Sequence, residues 1–346
     1  MRESFETIKP GDERLIWSGA VSLQHESGWV MPWRLPHKDL ALFPPQPLQD
    51  CAAMPSGVRL RFATDAETLE FHTEPMPGAS NLDLYAGDAL LSTVAFEAGE
   101  TAAQFDGLPK GMKTLELWLP TAVPFRLRAV QLPVGARLER SEDRRPKWIT
   151  YGSSITHCLG AGSPSFTWPG VVARAKGLNL LSLGYGGQCH ADPMLARLMR
   201  DLPADFVSVK IGINIQGHGS LNIRSFLPAV IGTLVTIREK HPDIPLVVCS
   251  PIWSPPRETA PNAAGMSLEI MRQQVAKAVD ILRERGDKLL YYVDGLKLFG
   301  PEHAEFLPDL VHPDAEGYLI LGRNFVREVF DRIGVQLPSE TKATQH

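Results

Sequence analysis

Cysteine is scarce in this sequence: four in 346 residues, Cys51, Cys158, Cys189 and Cys249, with no Cys-x-x-Cys spacing. That scatter excludes a disulfide framework and a cysteine-based zinc site, and it predicts reduced thiols in a cytoplasmic protein. No apolar run approaches the roughly 20 residues needed to cross a bilayer. The start, Met1-Arg2-Glu3-Ser4-Phe5-Glu6, lacks the apolar core of a signal peptide. No Lys/Arg run occurs and the formal net charge is -4, so neither nucleic acid nor an anionic membrane surface is an expected partner. Internal repeats and low-complexity tracts are lacking as well. What remains is an ordinary globular composition, 44% hydrophobic and 21% charged, in a chain long enough to predict two cores.

Two textures divide the chain. From about residue 10 to 140, Pro and Gly break up apolar runs that alternate with period two. Val58-Arg59-Leu60-Arg61-Phe62, Thr68-Leu69-Glu70-Phe71-His72, Leu82-Asp83-Leu84-Tyr85 and Leu115-Glu116-Leu117-Trp118-Leu119 each predict a half-buried strand. Short strands punctuated by turns predict an antiparallel β-sandwich of jelly-roll type over residues 1–140. Arg137 to Lys147 is charged, lacks periodicity and reads as a linker. Beyond it, apolar runs at Trp148–Tyr151, Leu178–Leu183, Phe206–Ile211, Pro245–Cys249 and Leu289–Val293 alternate with amphipathic stretches. The latter are Phe166–Lys176, Met194–Leu202, Ser225–Lys240, Leu268–Arg285 and Ala315–Ile333. Strand–helix alternation predicts an α/β domain with a covered parallel sheet over residues 147–335. The polar end, from about Gln336, is expected to be loose.

In an open parallel sheet, reactive groups gather beyond the carboxyl ends of the strands. The first such strand runs into Gly152-Ser153-Ser154-Ile155-Thr156-His157. Near the other end of the chain, Asp309-Leu310-Val311-His312-Pro313 precedes the last helix. A hydroxyl needs a base to become a nucleophile near neutral pH, and an imidazole needs an acceptor on its second nitrogen to serve as that base. Ser154, His312 and Asp309 are of the right types. The second strand ends in Gly184-Tyr185-Gly186-Gly187-Gln188 and the third in Gly212-Ile213-Asn214. A glycine amide and an asparagine side-chain amide are suitable donors for the oxyanion of acyl transfer. Each feature has a plain alternative. Asp309 could close a turn with His312 a surface residue, the glycines could serve a turn, and Asn214 could cap a helix. Their arrival in order at successive strand ends favours the chemical reading.

These segments resemble the SGNH hydrolases, the GDSL esterase and acyltransferase family, over roughly residues 147 to 333. The family's Gly-Asp-Ser block reads Gly152-Ser153-Ser154 here, and matching places the nucleophile at Ser154. Its oxyanion glycine matches Gly187. Its Gly-x-Asn-Asp block reads Gly212-Ile213-Asn214-Ile215, keeping Asn and losing Asp, and its Asp-x-x-His matches Asp309 and His312. The resemblance implies a flavodoxin-like three-layer domain in which Ser154 forms an acyl-serine. His312 is then the base and Asp309 its orienter. Ser154 and Gly187 amides with the Asn214 side chain hold the oxyanion. A β-sandwich ahead of such a domain resembles bacterial carbohydrate esterases. With Gly-Ser-Ser-Ile-Thr and Gly-Gly-Gln-Cys-His, the arrangement is similar to salicylyl-transferring enzymes of tetracycline-type polyketide biosynthesis.

Around this set, His157, Gln188, Gln216 and Trp253 are candidate substrate contacts, and His218 a further crevice residue. His190 and Asp192 make too small a set for a metal, and Asp192, followed by Pro193, reads as a helix N-cap. The Pro-rich Trp253–Pro261 segment reads as a pocket wall. Trp29 and Trp33 could form a sugar-stacking surface, whereas Trp118 is expected in the sandwich core. No metal and no cofactor are expected, with an acyl-CoA as donor substrate if the enzyme is a transferase. The expected partners are a small-molecule acyl donor and a hydroxylated acceptor. Three functions compete: transfer onto a natural-product hydroxyl, hydrolysis of small acyl esters, and non-catalytic carbohydrate binding. The last predicts that Ser154 need not lie near His312.

Overall fold

The computed structural model describes residues 4–338. Met1 to Glu3 and the polar tail beyond residue 338 lie outside the described residues. The chain divides into two units, one reaching to Asp143 and taking in Ser163–Ser165, the other formed by Arg144–Gly162 and the chain from Phe166 onward.

The first unit holds two antiparallel sheets. One runs in the order Ser22–Glu26, Trp29–Trp33, Leu127–Pro133, Leu69–Thr73, Ala102–Phe105, with Phe5–Ile8 also on Leu127–Pro133. The other runs Leu138–Glu139, Arg59–Thr64, Lys113–Trp118, Ser80–Ala86, Ala89–Phe96, with Ile16–Ser18 also on Arg59–Thr64. Leu60, Phe62, Leu69, Phe71, Leu82, Leu84, Leu115, Leu117 and Val130 share the core, as period-two alternation requires. Two expectations need correction. The linker begins as a strand, Leu138–Glu139, in register with Thr64 and Ala63. Trp118 is buried but has the opposite parity to Leu115 and Leu117, so it leaves the core and lies under the Arg59 guanidinium at 5.3 Å. That face is polar and closed. Asp83 accepts from Ser163 Oγ at 2.5 Å and the Ser165 amide at 2.8 Å.

The second unit's parallel strands are β1 (Lys147–Gly152), β2 (Asn179–Gly184), β3 (Phe206–Lys210), β4 (Leu246–Cys249) and β5 (Leu290–Val293). They pair in the order 2-1-3-4-5, the flavodoxin-like order. Its helices are α1 (Ser154–His157), α2 (Trp168–Lys176), α3 (Pro193–Asp201), α4 (Ile213–His218), α5 (Ile223–Arg238), α6 (Leu268–Glu284), α7 (Gly295–Leu298) and α8 (Ala315–Phe325). Helix α2 packs on α8, while α3, α5 and α6 pack in series. Side-chain caps start several of them: Thr167 accepts from the Gly170 amide, Ser267 from Ile270 and Asp314 from Gly317. Trp148 and Trp168 meet Phe325 with centroids 5.6 and 5.1 Å apart, and Phe206 stacks on Trp148 at 5.8 Å. The stretch read as one helix to Ile333 changes to a π-helix over Val326–Arg332. Among the described residues, no helix is long and apolar enough to cross a membrane.

Lys210 closes β3 and is buried. Desolvation presses its ammonium down to about 8, with Cys249, Cys189 and Cys158 acting in the opposite sense. A lysine whose pKa is lower folded than unfolded destabilises the fold at neutral pH. That penalty fades as pH rises from about 8 toward the ordinary lysine value. Lys210→Met is therefore expected to raise the melting temperature at about pH 7 and to lose that advantage near pH 10.5, as thermal denaturation at the two values would record.

Candidate active site

The strand order reverses at β1, which has β2 on one side and β3 on the other. This switch point is where an open sheet leaves a crevice. Ser154, Gly187 and Asn214 follow these three strands directly.

At the end of β1 the chain turns through Ser153, whose hydroxyl accepts from the Ile155 amide at 3.2 Å and so caps α1. Serine and aspartate are comparable caps, so the Ser153 found where the family motif has Asp leaves the turn intact. Ser153 is buried, whereas Ser154 is half-buried. The structure brings Ser154 to the histidine: its Oγ lies 2.7 Å from His312 Nε2. As the first residue of a helix, Ser154 has an amide with no intrahelical acceptor. Gly152 and Gly184 are glycines for lack of room. A Cβ on Gly152 would fall 2.2 Å from Thr156 Oγ1, and one on Gly184 2.4 Å from the His157 nitrogen.

Asp309 and His312 form a compact turn. Asp309 Oδ2 lies 2.6 Å from His312 Nδ1, and Oδ1 accepts from the His312 amide at 2.7 Å and the Val311 amide at 3.0 Å. Partial desolvation pushes the carboxyl up, but these hydrogen bonds prevail and hold it at about 2. With Nδ1 donating to Asp309, Nε2 is free to accept the Ser154 proton, the tautomer a base needs.

The oxyanion candidates are braced by their own neighbours. Gly187 has φ +71°, a conformation that favours glycine. Its carbonyl lies 2.9 Å from His190 Nε2, and His190 Nδ1 lies 2.7 Å from Ser220 Oγ. Gly184 is a strand end, so of the three glycines read as a turn only Gly187 has positive φ. Asn214 is the second residue of α4, and its Oδ1 accepts from the Cys189 amide at 3.1 Å. That leaves Nδ2 as the end able to donate. Gly212, at φ +133°, could not carry a side chain, since its Cβ would lie 2.5 Å from Pro251. The Cys189 and Cys249 thiols are both pushed up to about 12 by burial, so neither competes as a nucleophile.

The peripheral residues fare unevenly. His157 is fully buried, with the end of β2 against it: a Cβ on Gly184 would lie 2.4 Å from its backbone nitrogen. Gln216 is only 6% exposed, and its carbonyl accepts from Asn262 Nδ2 at 2.5 Å. Gln188 and Trp253 are half-buried at the ends of β2 and β4. His218 is exposed, with its ring 5.1 Å from that of His190. Asp192 holds the N-cap position of α3 without a side-chain cap, and burial raises its carboxyl. No group of three or more His, Cys, Asp or Glu able to hold a metal occurs among the described residues. The bracing by Cys189 and His190 escaped sequence reading because each runs between a side chain and a backbone group.

Comparison with known proteins bears on both units. A family model for the SsfX3 N-terminal domain matches residues 15–128, and the GDSL-like lipase/acylhydrolase model matches residues 146–327. Among solved structures, the chain is similar to the salicylyl-acyltransferase SsfX3 from a tetracycline biosynthetic pathway. The two are 38% identical over 96% of this chain and 99% of that one, with a TM-score of 0.89. A GDSL-like lipase from Bacteroides ovatus is 18% identical over 97% and 100% of the two chains, with a TM-score of 0.77. A family two carbohydrate esterase from Cellvibrio japonicus is 12% identical over 95% and 98%, with a TM-score of 0.66. These two likenesses concern the fold alone. No curated protein matches the chain.

Two outcomes follow from the geometry. Asn214→Ala is expected to lower kcat about 10²–10³-fold with little change in KM, measured on an aryl ester. A depressed carboxyl stabilises the fold above its unfolded pKa, and that contribution disappears only as pH falls through about 2. Asp309→Asn should therefore alter the unfolding free energy at neutral pH, and the difference from the parent should vanish in strong acid, as denaturant titration at several pH values would test.

Proposed function

The chain belongs to the GDSL-like lipase/acylhydrolase family, and from that premise we propose that its acyl-transfer chemistry passes through an ester on Ser154 to a hydroxyl of a natural product. That the protein is an acyl-transfer enzyme follows from the family and from the 38% identical salicylyl-acyltransferase. The observation that carries the assignment to these residues is the continuous relay from Ser154 Oγ to His312 Nε2 at 2.7 Å and from His312 Nδ1 to Asp309 at 2.6 Å.

In the first step Ser154 Oγ bonds to the acyl carbon as its proton passes to His312 Nε2. The carbonyl oxygen becomes an anion held by the Ser154 and Gly187 amides and by Asn214 Nδ2. Collapse breaks the bond to the leaving group, which takes the proton from His312. The acceptor hydroxyl then gives its proton to His312 and attacks the acyl carbon, the second anion collapses, and Ser154 leaves with that proton. Asp309 stays ionised throughout and stabilises the imidazolium. A thioester such as an acyl-CoA suits the donor, because a thiolate leaves readily. A salicylyl group and a polycyclic phenolic acceptor are the substrates the acyltransferase relative suggests.

Hydrolysis is the second reading, and one observation favours it. The His312 and Asp309 side chains are 41% and 54% exposed, so water can reach the base and compete for the acyl-enzyme. The carbohydrate-binding reading has no use for the relay.

The test is incubation with salicylyl-CoA and with aryl acetates, with and without a hydroxylated polyketide, read by intact-protein mass and product analysis. An acyl adduct on the parent, absent in Ser154→Ala, and an ester product formed in preference to free acid are expected. Unchanged turnover by Ser154→Ala would sink the nucleophile. Free acid alone, at the same rate with or without acceptor, would make the enzyme an esterase.

A further inference from the structure

The segment after β4 contains a hydroxyl that neither the acyl-transfer steps nor the oxyanion donors use. Ser254 is fully buried, and its Oγ donates to the carbonyl of Leu310 at 2.8 Å. Leu310 stands between Asp309 and His312 and holds φ +63°, a left-handed conformation that a leucine adopts at a cost. Leu310 is 48% exposed, so packing does little to offset that cost. An outlier of this kind persists when its surroundings over-determine it, and such outliers concentrate at functional sites.

The surroundings here are specific. Within the turn, the Leu310 amide donates to Leu307 and Asp309 accepts from Val311 and His312. All of these bonds are local, and all would survive a swing of the whole turn. The bond from Ser254 spans 56 residues and ties the turn to the body of the domain. Ser254 is in turn fixed: its amide donates to Glu258 Oε1 at 2.8 Å, Glu258 pairs with Arg272 on α6, and Arg272 Nη1 donates to the Pro251 carbonyl at 3.2 Å. A buried, anchored donor thus holds the one carbonyl that the left-handed residue presents.

We propose that Ser254 is a positioning residue: by holding the Leu310 carbonyl it fixes the turn in the place from which His312 reaches Ser154 and Asp309 reaches His312. The Trp253–Pro261 segment then belongs to the catalytic apparatus as its brace, beyond any part it plays as a pocket wall. The proposal rests on the triad reading above and extends it to a residue that touches neither substrate nor reacting atoms.

The experiment compares the parent with Ser154→Ala, Ser254→Ala and Ser254→Thr, using kcat and KM on an aryl acetate, the melting temperature, and the low-field proton resonance of the Asp309–His312 hydrogen bond. In Ser254→Ala, kcat should fall about ten- to a hundredfold with KM within about twofold, and the resonance should broaden or vanish. Ser254→Thr keeps the hydroxyl and should keep both signals. A Ser254→Ala protein with parental kcat and an intact resonance overturns the proposal. So does one whose melting temperature falls while kcat per folded molecule is unchanged. If neither Ser254 variant folds, Glu258→Gln, which loosens Ser254 from the far side of its loop, carries the same expectation for kcat and the resonance. Acylation persisting in Ser154→Ala would mean that the triad reading has failed. An inert Ser154→Ala beside an unimpaired Ser254→Ala would overturn the positioning role alone.

Discussion

A hydrogen bond of 2.7 Å joins Ser154 to His312, two residues 158 positions apart in the chain. A proton transfer tolerates little error in that distance, and the elements that carry the two residues set it. One end is set by β1, the middle of three adjacent parallel strands whose register is continuous from Trp148 to Tyr151. The other end is set by a turn ahead of α8, a helix tied to β1 through Phe325 packed against Trp148. The aromatic cluster is thus more than filler. It couples the strand that delivers the nucleophile to the helix that follows the base.

The same constraint explains the glycines. Gly152 lets α1 fold back onto the end of β1, Gly184 lets β2 close on α1, both to distances at which no Cβ fits, and Gly212 does the same against Pro251. The glycines that allow such contact lose more conformational freedom on folding than other residues would. That loss is tolerable because the contact fixes the strand ends on which the donors of the oxyanion site stand. Lys210 fits less comfortably, as a cation immersed among thiols one residue before the Ile211-Gly212 link to α4.

Much of this was legible in the residues alone. The five parallel strands read clearly because a sheet covered on both faces needs unbroken apolar runs. Asp309 and His312 read clearly because their partnership is local, three positions apart. The helices α1 and α4 did not show themselves, being four and six residues long, too short for a periodic signal. Trp118 was misplaced because bulk suggested the core while strand parity pointed to the other face. His157 stands beside the nucleophile in sequence yet is fully buried, with Gly184 at the end of β2 close against its backbone nitrogen. Ser254 left no trace in the sequence: a buried serine meeting a distant carbonyl has no spacing to recognise.

The buried sulfurs carry a consequence for chemoselectivity. Cys189 stands two residues beyond Gly187, and its amide orients Asn214, so a thiol lies within a few bonds of the place where an activated acyl group would arrive. Were that thiol ionised, it would exchange with a thioester donor without gain and strand the acyl group on sulfur. Held at about 12 by burial, it stays protonated and inert. An activated acyl donor arriving there would thus meet the Ser154 hydroxyl and not this sulfur as its nucleophile.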